Sequence, residues 1–254
     1  MGSLKIVGLG FLGALLAIVG WIALDVTNLV PAGGVREQDG GFEQRVRDYL
    51  VENPQVLVES LQRMPQERQR PSDTDEIGQI IAARSDEIFH DPATPVGGNP
   101  QGDVSIVEFF DYNCPYCRRV ASTLVEIEES DPKLRLVYKE WPILGPNSEF
   151  AARAALASRR QGKYLEFHNA LMLASGLVNE SKILEAAANV GLDLERLKQD
   201  MDAPEIKAAI ERNKQLAQTL RITGTPTFVI GDQVLRGAAD ADAFRDYIRN
   251  AREK

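Results

Sequence analysis

Residues 104–119 read VSIVEFFDYNCPYCRR, and a change of period inside this stretch decides the fold. Val104, Ile106, Glu108 and Phe110 fall on one side of an alternating run, with Ser105, Val107 and Phe109 on the other. That two-residue period is a strand. The run stops before Asp111, and CPYCRRVASTLVEIEES takes up helical spacing. Cys114 then stands at the helix N-terminus and Cys117 one turn inside, close enough for a disulfide between them. Unpaired N–H groups and the positive end of the helix dipole favour a thiolate at Cys114. Arg118 and Arg119 add positive charge nearby. A thiolate is the attacking species in disulfide exchange, so Cys114 is the expected nucleophile and Cys117 the resolving thiol.

These two cysteines are the only ones in 254 residues. Other uses of the pair compete with redox chemistry. A four-ligand zinc site needs a second ligand pair, and His90 and His168 offer no metal-ligand spacing. A purely structural disulfide would close a tiny loop and add little stability. Copper(I) capture by two soft thiolates stays open as an alternative or a second activity. No resident metal or cofactor is expected.

Glu108 places a carboxylate on an otherwise apolar strand face, close to the coming cysteines. Burial there would raise its pKa and suit it to relay protons for Cys117. The alternative is an edge position, with the carboxylate reaching water or pairing with Lys139.

Downstream, LRLVYKEW (134–141) is a second strand. Helical patterns then run through about 147–161, 163–175, 181–190, 193–201 and 204–220, with Gly162, Gly176 and Gly191 at expected helix ends. In GTPTFVIG (224–231), Thr225-Pro226 stands where a loop must turn into the sheet, and an X-Pro bond there would be open to the cis form. Gly231-Asp232 is a hairpin turn, QVLRG a last strand, and about 240–252 a last helix. Strand, helix, strand, helical block, hairpin and helix make an α/β sheet with an all-helical insertion at about 147–220.

Upstream, no charged residue occurs from Ile6 to Leu24. This approaches the roughly 20 residues that span a bilayer as a helix. The reading is a signal anchor over 1–27, with Lys5 inside and the rest exported. A cleaved signal, with Val30-Pro31-Ala32 as a poor cleavage site, or a buried helix are the alternatives. Export would place the cysteines where disulfides persist. Residues 28–41 form a spacer. In FEQRVRDYLVENPQVLVESLQRM (42–64), Phe42, Val46, Leu50, Leu57, Leu61 and Met64 form one apolar stripe, broken at Asn53-Pro54. The stripe docks on its own domain or on copies of itself. A linker follows over 65–101, with one helix at about 75–89. The net charge of −8 argues against a nucleic-acid partner.

Together, EFFDYNCPYCRR, YKEWPILGPNSEFAARAALAS, GKYLEFHNALM, GLDLERLKQDM and GTPTFVIGDQVLRGA resemble the DsbA-like branch of the thioredoxin superfamily over residues 102–254. FEQRVRDYLVENPQVLVESLQRM (42–64), within the expected helical oligomerisation segment 28–64, resembles the N-terminal part of the family's ScsC-like members, where it builds a trimer. The resemblance implies a thioredoxin fold with an inserted helical domain, preceded by a helical stalk and a signal anchor. It implies a cis Pro226 facing the dithiol and a Thr225 backbone that pairs with bound client chain. Pro115 and Tyr116, between the cysteines, complete the expected client-contacting set. Glu108 falls on the family's buried acid, with Lys139 a candidate neighbour.

One departure is informative. Where DsbA carries Pro-His between its cysteines, this chain has Pro115-Tyr116, which implies a milder oxidant. Thr225, in place of valine, resembles the disulfide isomerases. The expected protein is therefore an exported, periplasmic or membrane-anchored thiol-disulfide oxidoreductase, an isomerase of misoxidised secreted proteins served by a membrane redox partner. A DsbA-type oxidase, a copper(I) carrier and a holdase are the alternatives.

Overall fold

The computed structural model describes residues 39–56 and 73–253. The expected signal anchor, Leu57, Leu61 and Met64 lie outside the described residues. The chain divides into two compact units, Met1–Glu67 and Arg68–Lys254.

In the first unit, α1 spans Asp39–Glu52. It stops at Asn53, whose side chain donates to the Tyr49 carbonyl, and the chain is helical again from Pro54. Phe42, Val46 and Tyr49, three and four residues apart, are all exposed. Among the described residues no helix is long and apolar enough to cross a membrane.

The second unit is built on five strands: β1 (Val96–Gly98), β2 (Val104–Phe110), β3 (Leu134–Glu140), β4 (Thr227–Ile230) and β5 (Gln233–Arg236). Their order is β1-β3-β2-β4-β5; β2 and β3 run parallel, and every other pair is antiparallel. Two short helices, α2 (Asp73–Ala83) and α3 (Ser85–Phe89), precede the sheet. The helix α4 (Pro115–Ser130) crosses over from β2 to β3. Between β3 and β4 come α5 (Pro146–Ser158), a 3-10 turn (Arg159–Gln161), α6 (Tyr164–Leu173), α7 (Glu180–Asn189), α8 (Leu194–Met201) and α9 (Pro204–Thr219). The C-terminal α10 spans Ala241–Arg252, capped by the Asp240 side chain on the Ala243 N–H.

The alternation of β2 sorts the core. Val104, Ile106 and Phe110 pack with Cys117, Val120, Leu124 and Ile127 of α4, with α10 and with the insertion. Val107 and Phe109 pack on the far face with Ile77, Ile81, Ile88 and Leu216.

Two features differ from the sequence pattern. The single helix expected at 75–89 is two, because Arg84 departs from helical geometry (φ −114°, ψ 21°). The Pro/Gly-rich run before β2 contains β1, an edge strand antiparallel to β3. Gly98 permits it: φ is +62°, and a Cβ there would lie 2.6 Å from the Leu134 carbonyl oxygen.

Candidate active site

The strand-to-helix junction puts Cys114 at the N-cap of α4, with Pro115 in the first turn and Cys117 inside it. Both cysteines are buried and free. The Thr225–Pro226 peptide is cis. As a thiol, Cys114 donates to the Thr225 carbonyl at 3.2 Å. Its thiolate is held chiefly by a hydrogen bond from Cys117, and also by the Thr225 side chain and the N–H groups of Cys117 and Tyr116. These bring its pKa down to about 5 against the cost of burial. Cys117 moves the other way: burial raises its pKa, and the Cys114 hydrogen bond and the Glu108 charge add to the rise. The two thiols are thus strongly unlike although one helical turn apart.

The arginines do other work. Arg118 donates to the carbonyls of Met172 and Gly176, fastening the end of α6 to α4. Arg119 lies over the Tyr116 ring, 5.3 Å from its centroid. Hydrogen bonds from within the helix turn, rather than these cations, lead the stabilisation of the Cys114 thiolate.

Glu108 is 3% exposed and its Oε1 has no hydrogen-bond partner among the described residues. Burial, then the Cys114 charge, raises its pKa to about 8. It borders a cavity of about 80 Å³ with Glu128, Tyr138, His168 and Asn169. Lys139 is not its neighbour. The register pairs Glu108 with Tyr138 and Phe109 with Lys139, so Lys139 points to the opposite face. There it donates to the Glu87 carbonyl and Thr94 Oγ1, both at 2.8 Å.

Several polar residues around the site carry no motif. Asp111 accepts hydrogen bonds from the N–H groups of Asn113, Ile143 and Leu144. Asn113 pairs both ways with the Val178 backbone. Deeper in, Tyr112 and Tyr164 both donate to Glu140 Oε1, at 2.9 and 2.8 Å. Tyr112 has one proton, so its contact with His168 Nδ1 at 3.1 Å uses a lone pair and places the imidazole proton on Nδ1. Burial lowers the His168 pKa to about 3 and raises that of Glu140 well above the ordinary carboxyl range. The only sequence sign of this network was Glu140 sharing a strand face with Leu136 and Tyr138.

A mixed sheet of this order, with a Cys-x-x-Cys starting the helix after a central strand and its first sulfur against the carbonyl of the residue before a cis-proline, defines a thioredoxin-type dithiol centre. Residues 105–249 match the model of the DSBA-like thioredoxin domain. The chain belongs to this DsbA-like family of thiol-disulfide oxidoreductases, in its ScsC-like branch. Residues 41–69 match the model of the copper resistance protein ScsC N-terminal domain. A thioredoxin-like oxidoreductase from Silicibacter pomeroyi is 53% identical, covering 66% of this chain and 98% of that one, with a TM-score of 0.66. The catalytic domain of ScsC from Proteus mirabilis is 29% identical, covering 70% of this chain and 99% of its own, with a TM-score of 0.64. A Na(+)/H(+) antiporter from Salinispora tropica is 26% identical over 61% of this chain but 24% of its own length. The chain thus spans about a quarter of the length of such curated antiporters.

Proposed function

We propose that this chain is an extracytoplasmic thiol-disulfide oxidoreductase that isomerises wrongly paired disulfides in exported proteins. The observation that carries the reading is the unlikeness of the two thiols: Cys114, near pKa 5, is a thiolate at neutral pH, while Cys117 keeps its proton.

Cys114 thiolate attacks a client disulfide. A Cys114–client S–S bond forms, the client S–S bond breaks, and the departing client sulfur leaves as a thiolate. That thiolate attacks a second client disulfide, and the chain of exchanges ends when a client thiolate displaces Cys114; no net electrons move. In the escape route Cys117 gives its proton to the ionised fraction of Glu108, which grows as pH rises toward 8, and attacks Cys114 Sγ. A Cys114–Cys117 disulfide forms and the client leaves reduced by two electrons. A dithiol partner, assigned to the membrane, then restores the reduced enzyme. Pro115, Tyr116, Thr225 and Pro226 contact the client chain, with the Thr225 backbone beside the reacting sulfur.

The apolar residues near the dithiol support a polypeptide client. Tyr116, Ile143, Leu144, Leu173 and Leu177 are all exposed and lie on the active-site turn or on segments next to its hydrogen-bonded anchors. The exposed Phe42–Val46–Tyr49 stripe of α1 supports self-association, with a trimer as the family-based expectation. Copies joined there would offer one misfolded client several Cys114 thiolates.

The test compares the full chain with Phe42→Asp/Val46→Asp on two substrates, a scrambled disulfide protein and a reduced one. The expected result is loss of unscrambling, with oxidation of the reduced substrate retained. Equal, purely oxidising behaviour in both would move the reading to a DsbA-type oxidase.

A further inference from the structure

At the end of β3 the chain faces a local hydrogen-bonding problem. Trp141 N–H still donates to the Phe110 carbonyl at 3.0 Å, but Pro142 has no N–H, and the next two amides have left the sheet. Both find one acceptor: Ile143 and Leu144 donate to Asp111 Oδ2 at 2.8 and 2.9 Å. The other oxygen, Oδ1, accepts from Asn113 N–H at 2.8 Å. The backbone of the same residue serves the dithiol. Its carbonyl accepts Cys114 N–H at 3.0 Å, and its N–H stabilises the Cys117 sulfur. Asp111 is 1% exposed, whereas Ile143 and Leu144 are 41% and 52% exposed.

We propose that Asp111 is a positioning residue that fixes the apolar Ile143–Leu144 wall relative to Cys114, so that an incoming polypeptide meets wall and sulfur in one register. A carboxylate supplies two acceptor oxygens to three N–H donors from two segments. Asparagine, the amide side chain of the same length, offers an acceptor at only one of the two positions. The wall is thereby pre-organised, and client binding need not order it. This proposal rests on the reading that Cys114 attacks polypeptide disulfides.

The test is Asp111→Asn in the full chain. An amide keeps the shape but has one acceptor oxygen. Either Asn113 or the Ile143–Leu144 pair then faces an NH2 group. Amide hydrogen exchange over 143–144 should accelerate by on the order of ten-fold or more. KM for an apolar cystine-containing peptide should rise by about ten-fold, well beyond any change toward oxidised dithiothreitol, which is too small to span sulfur and wall. Ile143→Ser/Leu144→Ser, which leaves the anchor in place, should raise the same peptide KM, and it keeps the idea testable if Asp111→Asn does not fold. Unchanged exchange over 143–144, or equal changes toward peptide and dithiothreitol, overturns the role of Asp111; so does an unaltered peptide KM in the double variant. Wild-type protein inert toward both disulfides overturns the oxidoreductase reading instead.

Discussion

Glu108 and Lys139 stand one position apart in the register of two parallel strands, on opposite faces of one sheet, and both are almost fully buried. Lys139 is provided for: two acceptors at 2.8 Å, and Asp91 at 4.0 Å. Glu108 keeps an oxygen without a partner, beside a small cavity and within the field of the dithiol. Burial shifts both toward neutrality, each to about 8. The environments teach which charge is structural. A buried group given partners holds packing together, while one left short of them costs stability and suits proton transfer.

The comparison breaks if the two residues respond alike to removal of their charge. Lys139→Met strands the Glu87 carbonyl and the Thr94 hydroxyl, so urea denaturation should show a loss of about 4 kcal/mol. Glu108→Gln should do the reverse. The carboxyl pKa is raised from 4.5 to about 8 in the folded state. Between those values the native protein holds a proton that the unfolded chain has released, so wild-type stability falls as pH rises. The Gln variant escapes that fall. Its advantage should grow from near zero around pH 4 to roughly 4 kcal/mol by pH 8, while reaction of Cys117 with the mixed disulfide slows. Denaturation curves of the reduced protein across this range test the sign directly. Loss of stability in Glu108→Gln above pH 6 would put Glu108 in the same class as Lys139.

The dithiol sharpens the same contrast. The Cys114 pKa is depressed from 9.0 to about 5 by its hydrogen bonds. That stabilisation is fully present above the unfolded thiol pKa and disappears as pH falls through 5. The oxidised protein has no thiolate and lacks it. Reduced protein should therefore be the more stable form at pH 7, by on the order of 2 kcal/mol after allowance for solvent screening at the helix rim. The gap should close by pH 4. Paired melting curves of the two redox forms check both statements, and a gap independent of pH would remove the thiolate as its source.

What was legible in the sequence follows from the range of the interactions concerned. The two-residue period of 104–110 assigned Glu108 to its face, and the change of period placed the cysteines on the helix, because both are local. The partner of Lys139 was not legible, since register between parallel strands joined by a helix is set by packing across the whole sheet. β1 was hidden because Val96-Gly97-Gly98 has too few side chains to show a period; its strand character comes from the edge of β3. The directions of Arg118 and Arg119 depend on where α6 ends and on the Tyr116 ring, which no spacing within the motif reports. Asp111 was visible only as the residue where a strand stops. Its function depends on Pro142, far along the chain, leaving two amides without a strand.

Another buried acid, Glu140, lies between the two cases. Like Glu108 it is held neutral by burial, and its Oε2 has no partner among the described residues. Like Lys139 it is furnished on its other side, where the Tyr112 and Tyr164 hydroxyls meet at Oε1. Tyr164→Phe removes one of two donors from an oxygen that keeps the other, so stability should fall by only about 1 kcal/mol. Tyr112→Phe also takes the acceptor from His168 Nδ1 and leaves a buried N–H unpaired, so it should cost more, about 2 kcal/mol. In the double variant Oε1 loses both donors at once, and the combined loss should exceed the sum of the single ones. Strict additivity would mean that the hydroxyls do not share Glu140 as a common acceptor, and the acid would then join Glu108 as a buried group without provision.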